Sequence, residues 1–160
     1  MYARGVQVYL LRTSLLAARA SDDAPPFLSA EGRQLARAVG SRVQTSEAPS
    51  FDAVLVSPVP AAVQTAELFA DRVDYLGAPE VLATLVGGVP APVLGKLVLA
   101  RGPSVLVVAD EPSLSDLGAF LVGRPTFPQL KPGQVSVIVD GRPAWCFRPG
   151  ELARALLLVA

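Results

Sequence analysis

Ser104-Val105-Leu106-Val107-Val108-Ala109-Asp110-Glu111-Pro112-Ser113-Leu114 is the stretch on which the fold turns. Its first part, Ser104 to Val108, is a short apolar run rich in valine, the pattern of a strand buried on both faces. Polar residues and a proline then break the run, and Ser113 with Asp116 has the spacing of a capping box. Leu114, Leu117, Phe120 and Leu121 recur at helical spacing and define the inner face of a helix. A buried strand that passes through a polar turn into a helix is the repeating unit of a parallel α/β sheet.

The same unit recurs toward the N-terminus. Val6 to Leu11 reads as a buried strand, followed by a polar loop through Ser21, Asp22, Asp23, Pro25 and Pro26. Ser29 stands where a helix cap belongs, and Leu35, Ala36, Val39 and Val43 predict an amphipathic helix from Ala30 to Val43 with Arg33, Arg37 and Arg42 on its solvated face. Ala53 to Val56 is a second strand. Ser57-Pro58 then reads as a helix start, serine as cap and proline in the first helical position, with Val59, Ala62, Val63, Ala66 and Phe69 as the buried stripe. A weak strand at Val73 to Leu76 and a Pro/Gly-rich segment lead to a helix from Ala91 to Ala100.

Toward the C-terminus the pattern changes. Val135, Val137 and Val139 alternate with other residues, and Asp140-Gly141 joins them to Ala144 through Phe147 as a hairpin. A last helix is expected from Pro149, strongly apolar through Leu156, Leu157, Leu158 and Val159. Together these elements predict a three-layer α/β/α sandwich, one domain over residues 1–160, with a mostly parallel central sheet and the antiparallel hairpin at its edge. Ligands of such sheets bind beyond the carboxyl ends of the strands. Arg12-Thr13, Ser57 and Asp110 occupy such ends and are expected to meet.

Composition narrows the function. Lys+Arg and Asp+Glu balance at 14 each, so no global field draws a polyanion, and 6% aromatic content offers few stacking platforms. Nucleic acid is not an expected partner. Mean hydropathy is high at +0.44, yet the richest stretch, Val81 to Leu99, is broken by Gly87, Gly88, Pro90, Pro92 and Lys96, so no membrane span is expected. Part of the apolar excess is available to cover an interface, with a protein partner or a second copy of the chain. Arg4 before an apolar stretch invites comparison with a secretory leader, but Arg12 within that stretch favours a strand. The single cysteine, Cys146, cannot form an intramolecular disulfide and reads as a small core residue, so the cytoplasm is the expected compartment.

Several runs, taken in order, resemble the phosphoglycerate mutase-like histidine phosphatases, most closely the short phosphohistidine phosphatases of the SixA type. Val8-Tyr9-Leu10-Leu11-Arg12 is similar to the strand entering the family's Arg-His-Gly motif, and Leu28-Ser29-Ala30-Glu31-Gly32-Arg33-Gln34 to its Leu-Thr-x-x-Gly-Arg segment. Ser57-Pro58-Val59 with Gln64-Thr65-Ala66-Glu67 resembles the Ser-Pro-Leu-x-Arg-Ala-x-Gln-Thr-Ala-Glu helix start. Val107 to Leu114 parallels the Val-Gly-His-Glu-Pro run, and Leu130-Lys131-Pro132-Gly133 the segment before a late strand.

The resemblance implies a phosphatase in which a histidine attacks phosphorus while arginines and a second histidine hold the phosphate oxygens, without a metal or other cofactor. Such chemistry is positioning plus stabilisation of spread negative charge. This chain contains no histidine. The resemblance aligns Thr13 with the nucleophile, Asp110 with the second histidine and Ala61 with a clamping arginine; only Arg12 keeps the family's residue type. No catalytic residue is therefore expected, and Arg12 is the residual anion-binding candidate. A carboxylate about 4 Å from a bound anion, at an effective dielectric of about 20, repels it by about 4 kcal/mol.

Arg12 beside Asp110 is better read as a local ion pair than as a free anion site. Asp110, Glu111 and Asp116 are the residue types of an oxygen-ligand cation site, but carboxylates at a capped helix start are the simpler reading and no metal is expected. Ser57 and Ser113 read as caps. Two function classes follow. One is a catalytically degenerate phosphatase fold, a pseudophosphatase that works as a binding or regulatory module. The other is a phosphatase with rewired chemistry, acting on a phosphorylated protein or small phosphate ester, with Thr13 as nucleophile and Asp110 or Glu111 as base.

Overall fold

The structure is a computed structural model that describes residues 5–160; Arg4, weighed above against a leader, lies outside them. Among the described residues seven strands form one sheet in the order β3-β2-β4-β1-β5-β6-β7. They are β1 (Gln7–Arg12), β2 (Ala53–Val56), β3 (Glu80–Val81), β4 (Ser104–Ala109), β5 (Val135–Val139), β6 (Arg142–Phe147) and β7 (Ala155–Leu156). The helices are α1 (Ala30–Glu47), α2 (Pro60–Arg72), α3 (Ala91–Leu99) and α4 (Ser113–Val122), with a 3-10 turn at Ala83–Val86.

Strand β4 lies at the centre of the parallel half, flanked in register by β1 (Arg12 opposite Ala109) and β2 (Val56 opposite Val108). Every residue of β4 is buried, because each face of the sheet meets helices. Tyr9, Leu11, Val54, Val56, Leu106 and Val108 point to one side, where α1 and α2 supply Val39, Val43, Ala62, Ala66 and Phe69. Val8, Leu10, Leu55, Val105 and Val107 point to the other, against Leu94 and Val98 of α3 and Leu114 and Leu117 of α4. This is the three-layer sandwich that the alternation of strands and helices predicts. Each fully buried Leu, Val or Phe contributes roughly 1.5–3 kcal/mol of transfer free energy.

The sheet turns antiparallel at β5, which pairs with β1 on one side and β6 on the other. The hairpin therefore reaches into the sheet, and its outer edge is covered by β7. At the far edge Arg101 forks onto the Glu80 carboxylate at 2.7 and 3.0 Å, joining β3 to the entry of β4; that guanidinium holds the Glu80 carboxyl below its ordinary range.

Several local expectations are corrected. The apolar C-terminal run is not a helix: Leu156 and Leu158 are exposed on either side of buried Leu157, an alternation with the period of a strand, and Ala155–Leu156 pair with Trp145 and Cys146. Val73 to Leu76 is not a strand. Val73 caps α2, Asp74 takes a left-handed conformation, and the Tyr75 amide donates to the Ala70 carbonyl, so the edge strand forms later, at Glu80–Val81.

Helix α2 begins at Pro60, two residues later than Ser57-Pro58 suggests, because the Ser57 amide still donates to the Val108 carbonyl and prolongs the pairing with β4. The capping box at Ser113 is absent; Pro112 takes the cap position, and Glu111 reaches forward to accept from the Ser115 amide. Ser29 does cap α1, accepting from the Gly32 amide at 2.9 Å, but the helix runs one turn beyond Val43, to Glu47. Arg33 is not simply solvated: its Nη1 donates to the Leu28 carbonyl.

Candidate functional site

The strand ends meet as the topology requires. Arg12 closes β1, and the following Thr13 amide donates to the Ala109 carbonyl at the end of β4. Thr13 is 3% exposed, and its Oγ1 lies 3.4 Å from the Ala109 carbonyl and 3.3 Å from Asp110 Oδ2. Both separations are long for a hydroxyl donor, and one proton serves only one acceptor at a time. Asp110 is half exposed and stands 4.0 Å from Arg12 Nε. The Arg12–Asp110 pair is thus present as a distant, solvent-screened contact of small energetic weight.

Arg12 is committed elsewhere. Its Nη1 donates to the Leu130 carbonyl at 2.6 Å, while its buried Nε has no hydrogen-bond partner. The segment from Leu130 to Gly133 wraps this arginine: the Gly133 amide donates to the Arg12 carbonyl, and the Arg12 amide to the Gln134 carbonyl. Gly133 has a φ of 80°, and a Cβ there would approach Ser14 Oγ to 3.3 Å.

Glu111 is a brace. One carboxylate oxygen accepts from the Ser115 amide at 2.8 Å, the other from the Leu130 amide at 2.7 Å, so the residue ties the start of α4 to the loop that holds Arg12. Both oxygens are engaged, and among the described residues Thr13 Oγ1 makes its contacts to the Ala109 carbonyl and Asp110, not to Glu111, the base weighed for it. Among the described residues no three His, Cys, Asp or Glu side chains are grouped to hold a metal ion.

The remaining wall is a hydrogen-bond framework. Ser14 donates its hydroxyl to the Gly32 carbonyl at 2.8 Å, and its amide donates to Thr65 Oγ1 at 3.1 Å. Thr65 in turn donates to the carbonyl of Ala61 at 2.8 Å. Gln64 accepts from the Leu28 amide at 2.8 Å. Gly32 is required by contact: a Cβ would stand 2.1 Å from the Leu15 carbonyl oxygen. Ala61 is fully buried in the first turn of α2. Ser57, also buried, accepts weakly from the Val59 amide at 3.4 Å. Cys146 lies apart in β6, and burial pushes its thiol pKa up, as for a core residue.

Sequence reasoning located Arg12, Thr13 and Asp110 together. It missed the roles of Glu111, Leu130 and Ser14, which act through backbone amides and carbonyls that no side-chain pattern reveals. Gln64, Thr65, Gly32 and Gly133 were visible as motif residues, but not as the framework they build.

This arrangement of sheet and flanking helices is shared with solved phosphatases. The chain superposes on the protein histidine phosphatase SixA complexed with tungstate with a TM-score of 0.76 and 25% identity, over 90% of this chain and 97% of that one. A protein assigned as the phosphohistidine phosphatase SixA from Agrobacterium tumefaciens gives a TM-score of 0.72 at 17% identity, covering 90% and 99% of the two chains. Its counterpart from Nakamurella multipartitia gives 0.69 at 16%, covering 93% and 99%. The sequence model of the histidine phosphatase superfamily (branch 1) matches residues 13–85. No curated protein matches the sequence. The chain carries the phosphoglycerate mutase-like fold, and the resemblance of its motifs to the histidine phosphatase superfamily and its SixA-type members holds.

Proposed function

We propose that this chain is a catalytically degenerate member of the histidine phosphatase fold, a single-domain, cytoplasmic pseudophosphatase that serves as a binding or regulatory module for a protein partner or a second copy of itself. The observation that carries this reading is the set of side chains that meet at the strand ends. Where a phosphoryl group would need a nucleophile and converging positive charge, the chain offers a buried threonine hydroxyl within 3.3 Å of the Asp110 carboxylate. Arg12, which closes β1 beside them, already donates to the Leu130 carbonyl. No histidine exists anywhere in the chain to replace the missing groups. The lone, buried Cys146 supports a reducing compartment.

One observation favours a second reading, a rewired phosphatase. Asp110 Oδ2 lies 3.3 Å from Thr13 Oγ1, and a nucleophile with a base in contact is the minimum apparatus for attack. The long Oγ1–Oδ2 separation and the near-complete burial of Thr13 argue against it.

One assay separates the two. The purified chain and its Thr13→Ala variant are incubated with a phosphohistidine peptide and with an aryl phosphate, with and without Mg²⁺. The pseudophosphatase reading expects no turnover above background in either protein. Turnover by the parent chain that disappears in Thr13→Ala would replace it with the rewired enzyme. Since SixA was solved with tungstate, the same oxyanion serves as a binding probe. Little or no thermal stabilisation by tungstate is expected.

A further inference from the structure

The two edges of the sheet are finished differently. At the β3 edge Pro79 precedes the strand, and Glu80 carries the Arg101 guanidinium. Proline and charge are devices that keep an edge from pairing with another chain. The β7 edge has neither: Ala155-Leu156-Leu157-Leu158-Val159-Ala160 holds no charged side chain and no proline. Its extended path continues past Leu156. Leu157 and Val159 both pack into the core on the α3 and α4 side, while Leu156 and Leu158 between them are 76% and 78% exposed. Among the described residues no strand lies beyond β7.

The pairing with β6 fixes which backbone groups of this segment are open. The Leu157 amide donates inward to the Ala144 carbonyl at 3.3 Å, and Leu156 stands opposite Trp145. Along a strand the amide and carbonyl of one residue point to one side and those of the next residue to the other. The amides and carbonyls of Leu156 and Leu158 therefore face away from the sheet. The exposed leucine side chains and the open backbone groups belong to the same two residues.

We propose that this edge pairs with the same edge of a second copy, antiparallel about a two-fold axis at Leu157, so that two chains share one continuous sheet. In that register Leu156 exchanges amide and carbonyl bonds with the partner's Leu158, and Leu158 with the partner's Leu156. Residues directly opposite share a face, so the exposed leucines of both copies gather on one side and leave water together. Self-pairing sets apolar against apolar at every position. It also keeps like charges apart: Arg154 lies three residues from the axis, which puts it about 20 Å from the partner's Arg154 at about 3.4 Å per residue. Arg154 is moreover already paired with Glu47. Because the β3 edge is blunted, each chain offers one open edge, and two copies close the assembly.

A contact of one short strand is small against the roughly 1,000 Å² of a stable interface, so a reversible dimer with a Kd of about 10–100 µM is expected. Sedimentation velocity of the full chain across about 5–500 µM brackets that range. Leu158→Pro removes an outward amide that the single chain does not use, and it is expected to weaken the dimer at least tenfold. Leu156→Lys leaves the backbone alone and puts a charge among the leucines, with the same expected loss. Both variants should unfold at the parent's temperature when compared at concentrations where the parent is monomeric. Leu76→Ser removes a side chain that is 98% exposed and precedes β3, and it is expected to leave the dimer unchanged. A chain monomeric at every concentration, growth beyond a dimer, a dimer that survives either folded β7 variant, or one that Leu76→Ser weakens equally would overturn the proposal. Turnover and tungstate binding read the strand-end site separately, so the failure of either proposal is distinguishable from that of the other.

Discussion

The wall and the floor of the strand-end site are built to different standards. Along the wall, Ser14, Gly32, Thr65, Gln64 and Leu28 are joined by hydrogen bonds of 2.8–3.1 Å, mostly between fully buried groups. On the floor, Thr13, Asp110 and Arg12 face one another at 3.3–4.0 Å, with Asp110 half exposed and a buried arginine nitrogen unpaired. Short bonds among buried groups cannot be lost without leaving a desolvated donor or acceptor, whereas loose contacts at a wet surface are nearly free to change. The wall is therefore part of what makes the chain fold. The floor is the looser of the two, so its side-chain chemistry can change at less cost to the fold.

If this division is right, the wall resists change and the floor tolerates it. The largest effect is expected at Gly32. Alanine there places a methyl group 2.1 Å from the Leu15 carbonyl oxygen, and the backbone must shift to admit it. Gly32→Ala should lose about 3 kcal/mol in denaturant unfolding despite its better helix propensity. A stability within about 0.5 kcal/mol of the parent would show that the loop after β1 is not locked against α1.

Glu111 belongs with the wall although it adjoins the floor. Glu111→Ala leaves the Ser115 and Leu130 amides without their acceptor, a loss of about 2 kcal/mol since both lie in partly buried surroundings. Glu111→Gln keeps one acceptor and should lose less, which thermal unfolding of the pair would resolve. Thr65→Val comes next, at about 1.5 kcal/mol, because it strips the Ser14 amide of its partner and the Ala61 carbonyl of its donor in a fully buried place. Thr65→Ser should restore most of that loss. If Thr65→Val and Thr65→Ser behave alike, the hydroxyl does not hold the wall.

How much of this was legible in sequence follows the same division. Strand β4, strand β2 and the Ser29 cap of α1 could be read directly, because burial on both faces gives unbroken apolar runs and a capping serine leaves a local signature. The meeting of Arg12, Thr13 and Asp110 followed from the rule that parallel strands deliver their carboxyl ends to one place. The C-terminal run was misread because four consecutive apolar residues carry no period, and only pairing with β6 decides for a strand. The start of α2 was misplaced because Ser57-Pro58-Val59-Pro60 contains two prolines, each suited to a first helical position. The tertiary bond from Ser57 to Val108 chooses the second. Glu111 was read as a helix-dipole carboxylate, since its second partner, the Leu130 amide, is remote in sequence.

The smallest structural effect, and the sharpest test of the floor, is expected at Asp110. Asp110→Asn removes a half-exposed charge that meets Arg12 only at 4.0 Å, so stability should change by less than about 0.5 kcal/mol. Asparagine can still accept from Thr13 Oγ1, so the local geometry has no reason to move. What changes is the field at the strand ends. A repulsion of about 4 kcal/mol would apply to an anion at 4 Å with an effective dielectric of 20, and solvent at half-exposed Asp110 reduces it substantially. A gain of about tenfold in tungstate or phosphate affinity is the expected remainder, measured by the shift in thermal unfolding against anion concentration. If affinity does not rise while the variant remains folded, the obstacle to anion binding is the commitment of Arg12 to Leu130, and the acidic character of Asp110 is not what separates this floor from a phosphate site.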